Sequence, residues 1–147
     1  MTERRRDTMP AIHAAQLGPP PVLLLASEAK SAKVAREFAR EYVLHYFPEA
    51  SEDYVETVVL VTCELVTNSI RYGTLPDDSV RIELDTDDTR TRVEVHDSVR
   101  RRPRPRPESD RRDRGRGLII LDALCPGSWG VEDTRDGKAV WAEVKAS

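Results

Sequence analysis

The chain has 147 residues, enough for one domain with a core of its own. Hydrophobic residues make up 39% and charged residues 33%, and the net charge is −3, so nothing global draws it to nucleic acid or an anionic membrane. No apolar run approaches the roughly 20 residues of a spanning helix, which excludes a helical membrane protein on pattern alone.

Residues 1–20 hold Arg4, Arg5, Arg6, Pro10, Pro19 and Pro20 without any period. They are predicted to be a flexible leader. They contain no apolar stretch of signal-peptide strength, so a cytoplasmic location is expected. Residues 21–147 are then one domain. "PVLLLAS" reads as a short strand, with Ser27 or Ser31 as the N-cap of the first helix. "EAKSAKVAREFAREYVLHYF" spaces Val34, Phe38, Tyr42 and His45 or Tyr46 as one helical stripe, and Pro48 stops it.

A second helix is expected from Ser51 or Asp53 to Tyr72, with Gly73 just past its end. Its apolar stripe is Val55, Val58, Val59, Thr62, Leu65, Val66, Ser69 and Ile70. Glu64, Asn68 and Arg71 share another face, at i, i+4 and i+7. "LPDD" is a turn. "VRIELD" (80–85) and "TRVEVHD" (91–97) alternate as strands around the hairpin loop "TDDTR". "RGRGLIILDALC" opens a helix behind two glycines, and "WGVED", "TRDG" and "KAVWAEV" make a closing hairpin. The order β-α-α-β-β-loop-α-β-β predicts an α+β two-layer sandwich, with a mixed, mainly antiparallel sheet and helices on one face.

Residues 98–116 have no period. Between Arg100 and Arg116 they hold nine arginines against Glu108, Asp110 and Asp113, so a loop of charge +6 sits on a body of charge −9. Loops of this length in compact domains are usually functional or disordered. The acidic body and the absence of interleaved aromatics argue against nucleic acid as its partner. Cys63 and Cys125 are too far apart for a zinc spacing and are expected reduced and partly buried. His13, His45 and His96 are scattered, and none is assigned to a metal.

A bound nucleotide needs hard oxygen ligands for a divalent cation, backbone N–H groups for phosphate, and a few fixed hydrogen bonds for the base. The Asn68 amide oxygen can ligate magnesium. Glu64, one turn earlier, can deprotonate or orient a nucleophile beside that metal. "DRGRGL" (113–118) frees backbone at Gly115 and Gly117 where a helix begins. Asp97, at a strand end, can accept from an exocyclic amine. Taken singly, each has a plainer reading: a solvated helix face, a turn with a cap, a turn aspartate, an exposed Arg/Pro segment.

Their order together resembles the Bergerat-fold ATPases, the group of histidine kinases and gyrase, and within it the small bacterial anti-sigma-factor serine/threonine kinases. The resemblance spans residues 22–145. "ELVTNSIRYG" (64–73) matches the N-box, "VEVHDS" (93–98) the first glycine box, "RGRGL" (114–118) the second, and "GKAVWAEV" (137–144) the closing strand. It implies ATP and Mg2+ as ligands. Glu64 becomes the catalytic base, Asn68 the magnesium ligand, and Asp97 the acceptor for the adenine amine. Gly115 and Gly117, with Arg116 and Leu118 around them, become the phosphate-binding turn. Residues 98–114 become an ATP lid, and Arg114, with Arg71 and Arg112 as weaker candidates, the cation at the γ-phosphate.

The implied role is a protein kinase in a partner switch, with a sigma factor, an antagonist of its binding, or both as partners; such relatives are often homodimers. The first box lacks both of its usual glycines, with Ser98 to Arg101 in their place. Ala139 stands where a threonine often supports the base-binding aspartate. These departures support an alternative, a non-catalytic partner-binding regulator with weakened nucleotide binding.

Overall fold

A computed structural model describes residues 18–73, 78–97, 120–135 and 137–146. The stretch 98–114 expected to form a lid, Gly115 and Gly117, and residues 1–17 of the expected leader lie outside these residues. Strand β1 (Val22–Ala26) leads into helix α1 (Ser31–Tyr46) and helix α2 (Glu52–Asn68). Strands β2 (Ser79–Thr86) and β3 (Arg90–Asp97) come next, then a helical segment at 120–124, and finally β4 (Trp129–Thr134) and β5 (Gly137–Lys145).

The sheet has five strands in the order β1-β2-β3-β5-β4. The fold class is the predicted α+β sandwich, with one correction: every described pairing is antiparallel, not mixed. The connections explain this. Tight hairpins make β2–β3 and β4–β5 antiparallel. Two helices separate β1 from β2, so the chain traverses the layer twice and re-enters in the opposite sense. β3 and β4 do run in the same direction, but β5 lies between them and is antiparallel to both.

Alternation sets the two faces of the sheet. Leu25 of β1, Val80, Ile82 and Leu84 of β2, Val93 and Val95 of β3, and Ala142 and Val144 of β5 are buried beneath the helices. The opposite face carries a charged lattice. Arg92 donates to Glu94 Oε2 at 2.7 Å and to Glu143 Oε2 at 3.1 Å, and lies over the Trp141 ring at 4.4 Å. Trp141 fits because its partner across the ladder is Gly130, where a Cβ would stand 3.0 Å from the indole Nε1.

In α1 the buried stripe is Ser31, Ala35, Phe38, Ala39, Tyr42 and Val43. Val34, expected inside, is 45% exposed. The reason is close packing: Ala35, Ala39 and Val43 repeat every four residues and are fully buried, which rotates Val34 outward. Neither expected serine caps α1. Lys30 holds the cap position, and the Ser31 hydroxyl donates to Ala26 O at 2.8 Å, tying the helix start to the end of β1. The stop before Pro48 is as expected, with Phe47 leaving the helical region.

Ser51 does cap α2, its hydroxyl accepting from Tyr54 N at 3.1 Å, with Glu52 and Asp53 favourably placed in the first turn. The stripe predicted for α2 is buried through Val66. Its C-terminus differs from expectation. The α-helix ends at Asn68, and a π turn continues over Ser69–Gly73. Such turns recur inside or beside helices at functional sites.

The cysteines are free, as expected. Cys125 is 2% exposed, and burial pushes its thiol up to about 11. Cys63 is half-buried, with Arg36 Nη1 donating to its sulfur at 3.5 Å. A thiol reagent at pH 8 is therefore expected to modify Cys63 in the native protein and Cys125 only after denaturation. Two rapidly reacting thiols in the native state would contradict this packing.

Candidate functional site

The alternation that buries Val93 and Val95 continues one step further and brings Asp97 inside. Its side chain is fully buried. A lone buried carboxylate is expensive, so it must be paired. The partner comes from β5, where the register sets Lys138 directly beside Asp97. Lys138 Nζ donates to Asp97 Oδ1 at 3.1 Å and to Oδ2 at 3.0 Å, and only 8% of its side chain is exposed. A third segment meets them: Ser69, at the start of the π turn, donates from Oγ to Asp97 Oδ2 at 3.1 Å. The end of α2, the end of β3 and the start of β5 thus converge on one carboxylate.

Ala139 was the expected neighbour of this aspartate. It pairs instead with His96, one step along the ladder, so its Cβ belongs to the opposite face. Lys138 holds the place next to Asp97. Sequence reasoning missed both Lys138 and Ser69. The signal was available for Lys138: a lysine two positions before an inward residue of an alternating strand shares its face.

Glu64 and Asn68 lie one turn apart on α2, and both are half-buried. Among the described residues neither side chain finds a hydrogen-bond or ion-pair partner. Asn68 immediately precedes Ser69, so it stands at the same end of the domain as the Asp97 cluster. Arg71 is exposed and falls within the π turn, beyond the α-helical phase that Glu64 and Asn68 share. Arg114, Gly115, Arg116, Gly117 and Leu118 lie outside the described residues. Just after them, segment 120–124 inserts Leu121 and then Cys125 into the core.

A separate cluster occupies the face of the sheet turned away from the helices. Glu83, Glu94 and His96 bring ligand-type atoms within 4.8 Å of one another. Arg81 Nη2 meets His96 Nδ1 at 3.1 Å, and His96 Nε2 meets Glu94 Oε1 at 3.0 Å. Since arginine only donates, Nδ1 is the acceptor and Nε2 carries the proton that goes to Glu94. Burial would raise the Glu94 carboxyl, but the hydrogen bonds from Arg92 and His96 outweigh it and hold the group below the usual carboxylate range. These groups satisfy one another. A groove of about 330 Å³ is lined by Leu24, Ser79, Arg81, His96, Asp97, Thr134 and Arg135.

The fold is that of an α+β ATPase-type domain, and the family comparison agrees with it. The histidine kinase-like ATPase domain matches residues 25–142. That is most of the chain, which therefore belongs to the histidine kinase-like ATPase domain family. Comparison with curated proteins found no match. Membership of this family supports ATP binding. No helix among the described residues is long and apolar enough to cross a membrane.

Proposed function

We propose that the protein is an ATP- and magnesium-binding regulator of the anti-sigma-factor type, acting as a serine/threonine protein kinase in a partner switch. One observation carries the site: Glu64 and Asn68 are half-buried, one turn apart, and without partners among the described residues, on the helix whose next residue, Ser69, meets the buried Asp97 carboxylate. Half-buried polar groups take their partners from solvent or from a ligand, and this pair is open to a ligand. A ligand supplies them here. The donor set suits it, since an amide oxygen is a hard ligand for magnesium and a carboxylate accepts from an exocyclic amine.

In this reading Asn68 holds the metal, and Asp97 orients the adenine end. Gly115 and Gly117 offer backbone N–H groups to the phosphates, with Arg116 and Leu118 flanking them, and Arg114 or Arg71 faces the γ-phosphate. When bound, magnesium offsets phosphate charge. Glu64 takes the proton from a serine or threonine hydroxyl of the partner protein. That oxygen bonds to the γ-phosphorus as the bond to the bridging oxygen breaks, and ADP leaves. The partners are a sigma factor and an antagonist of its binding.

Titration with a fluorescent ATP analogue, with and without magnesium, tests the site. Asn68→Ala is expected to abolish the magnesium-dependent part of the binding. Unchanged binding by that variant would remove the metal-ligand assignment.

A second reading is favoured by a specific contact. The Asp97 carboxylate is already held by Lys138 and Ser69. A partner-binding regulator with weakened nucleotide affinity would look like this. Absence of binding at millimolar ATP would select it.

A further inference from the structure

We infer that Lys138 sets nucleotide affinity and base preference, by holding the Asp97 carboxylate in competition with the incoming base. This rests on the nucleotide site proposed above.

A carboxylate offers about four lone-pair positions. Lys138 takes one on each oxygen, at 3.1 and 3.0 Å, and Ser69 takes another on Oδ2 at 3.1 Å. The amine of adenine is a neutral donor, whereas the Lys138 ammonium is a charged one, and charge-assisted hydrogen bonds are roughly twice as strong. The Asp97 side chain is fully buried, so the base reaches it only by displacing a donor already there, and the donor inferred to give way is Lys138. Lys138 is suited to being displaced. Its backbone is fixed by the ladder to β3 and β4, while its ammonium sits at the end of a flexible four-carbon stem. The apparent affinity falls in proportion to the fraction of molecules in which the acceptor is open.

The same pair alters selectivity. A bare carboxylate attracts a base carrying an amine and repels one carrying a carbonyl at that position. An ammonium beside it reverses the second preference, because a carbonyl oxygen can accept from Lys138. A 6-oxopurine nucleotide is then tolerated where an isolated aspartate would reject it.

The test is equilibrium binding of Mg-ATP and Mg-GTP to the full chain and to Lys138→Thr, whose hydroxyl can still donate to Asp97. The wild type is expected to separate the two nucleotides by less than about tenfold. The variant is expected to bind ATP at least about tenfold more tightly and GTP no more tightly, raising the ratio by a decade. ATP binding by the variant that is no tighter than wild type, or an unchanged ratio, overturns the inference and leaves the nucleotide site standing. Failure of both proteins to bind either nucleotide at millimolar concentration overturns the site and the inference together.

A wild-type measurement covers the case in which the variant does not fold. The chain has four lysines, at 30, 33, 138 and 145. The nitrogen-15 ammonium signal of Lys138, slowed in exchange by burial, is expected to move or broaden on saturation with Mg-ATP. A signal unchanged at saturation would show that the ammonium stays on Asp97, and the competition would be refuted.

Discussion

Asp97→Ala is expected to lower the unfolding free energy by about 3–5 kcal/mol, read from urea denaturation. The substitution removes the two carboxylate oxygens that Lys138 Nζ meets, and with them the neutralising charge beside an ammonium whose side chain is 8% exposed. It also takes an acceptor from the Ser69 hydroxyl at the end of α2. Lys138→Met is expected to be destabilising for the mirror reason, since a neutral hydroxyl such as that of Ser69 cannot balance a buried carboxylate. The double variant Asp97→Ala/Lys138→Met is expected to recover a large part of the loss, because burying neither charge is cheaper than burying one. Additive losses would mean that the two groups are not energetically coupled.

Glu64→Ala should leave nucleotide binding intact and reduce phosphoryl transfer by about 10²–10⁴-fold, the usual contribution of a positioned general base. The fold has no reason to suffer. Glu64 is half-buried, has no hydrogen-bond or ion-pair partner among the described residues, and is replaced by the residue most at home in a helix. Transfer of labelled phosphate to a partner protein, or release of ADP, measures the effect. Glu64→Gln keeps the shape and loses the base, so it should behave as the alanine variant does. Wild-type turnover in either would assign the proton transfer elsewhere. The contrast with Asn68→Ala, which should lose binding first, separates the two roles.

The layer architecture was legible because it rests on local pattern. Val80, Ile82 and Leu84 alternate, as do Val93 and Val95, and a strand one-sidedly apolar must lie against something. The α2 stripe and its Ser51 cap are local in the same sense. Errors arose where local pattern is degenerate. Val34 and Ala35 are both apolar and adjacent, and only the closeness of the neighbouring helix and sheet selects alanine for the inside. Ser69 reads as part of a helix, and nothing in its neighbours announces a π turn.

The sequence by itself determined the α+β layer order, and its motifs resemble those of the ATPase family that the comparison shows; Glu64, Asn68 and Asp97 as a nucleotide site is our proposal. The layer order is a property of period within each element, which is local. The tertiary structure alone decided who neutralises Asp97. Lys138 lies 41 positions away, and the strand register that joins them is not written in either segment. A buried charge takes whichever partner folding delivers, so this contact, and the competition it sets up, appears only once the sheet is assembled.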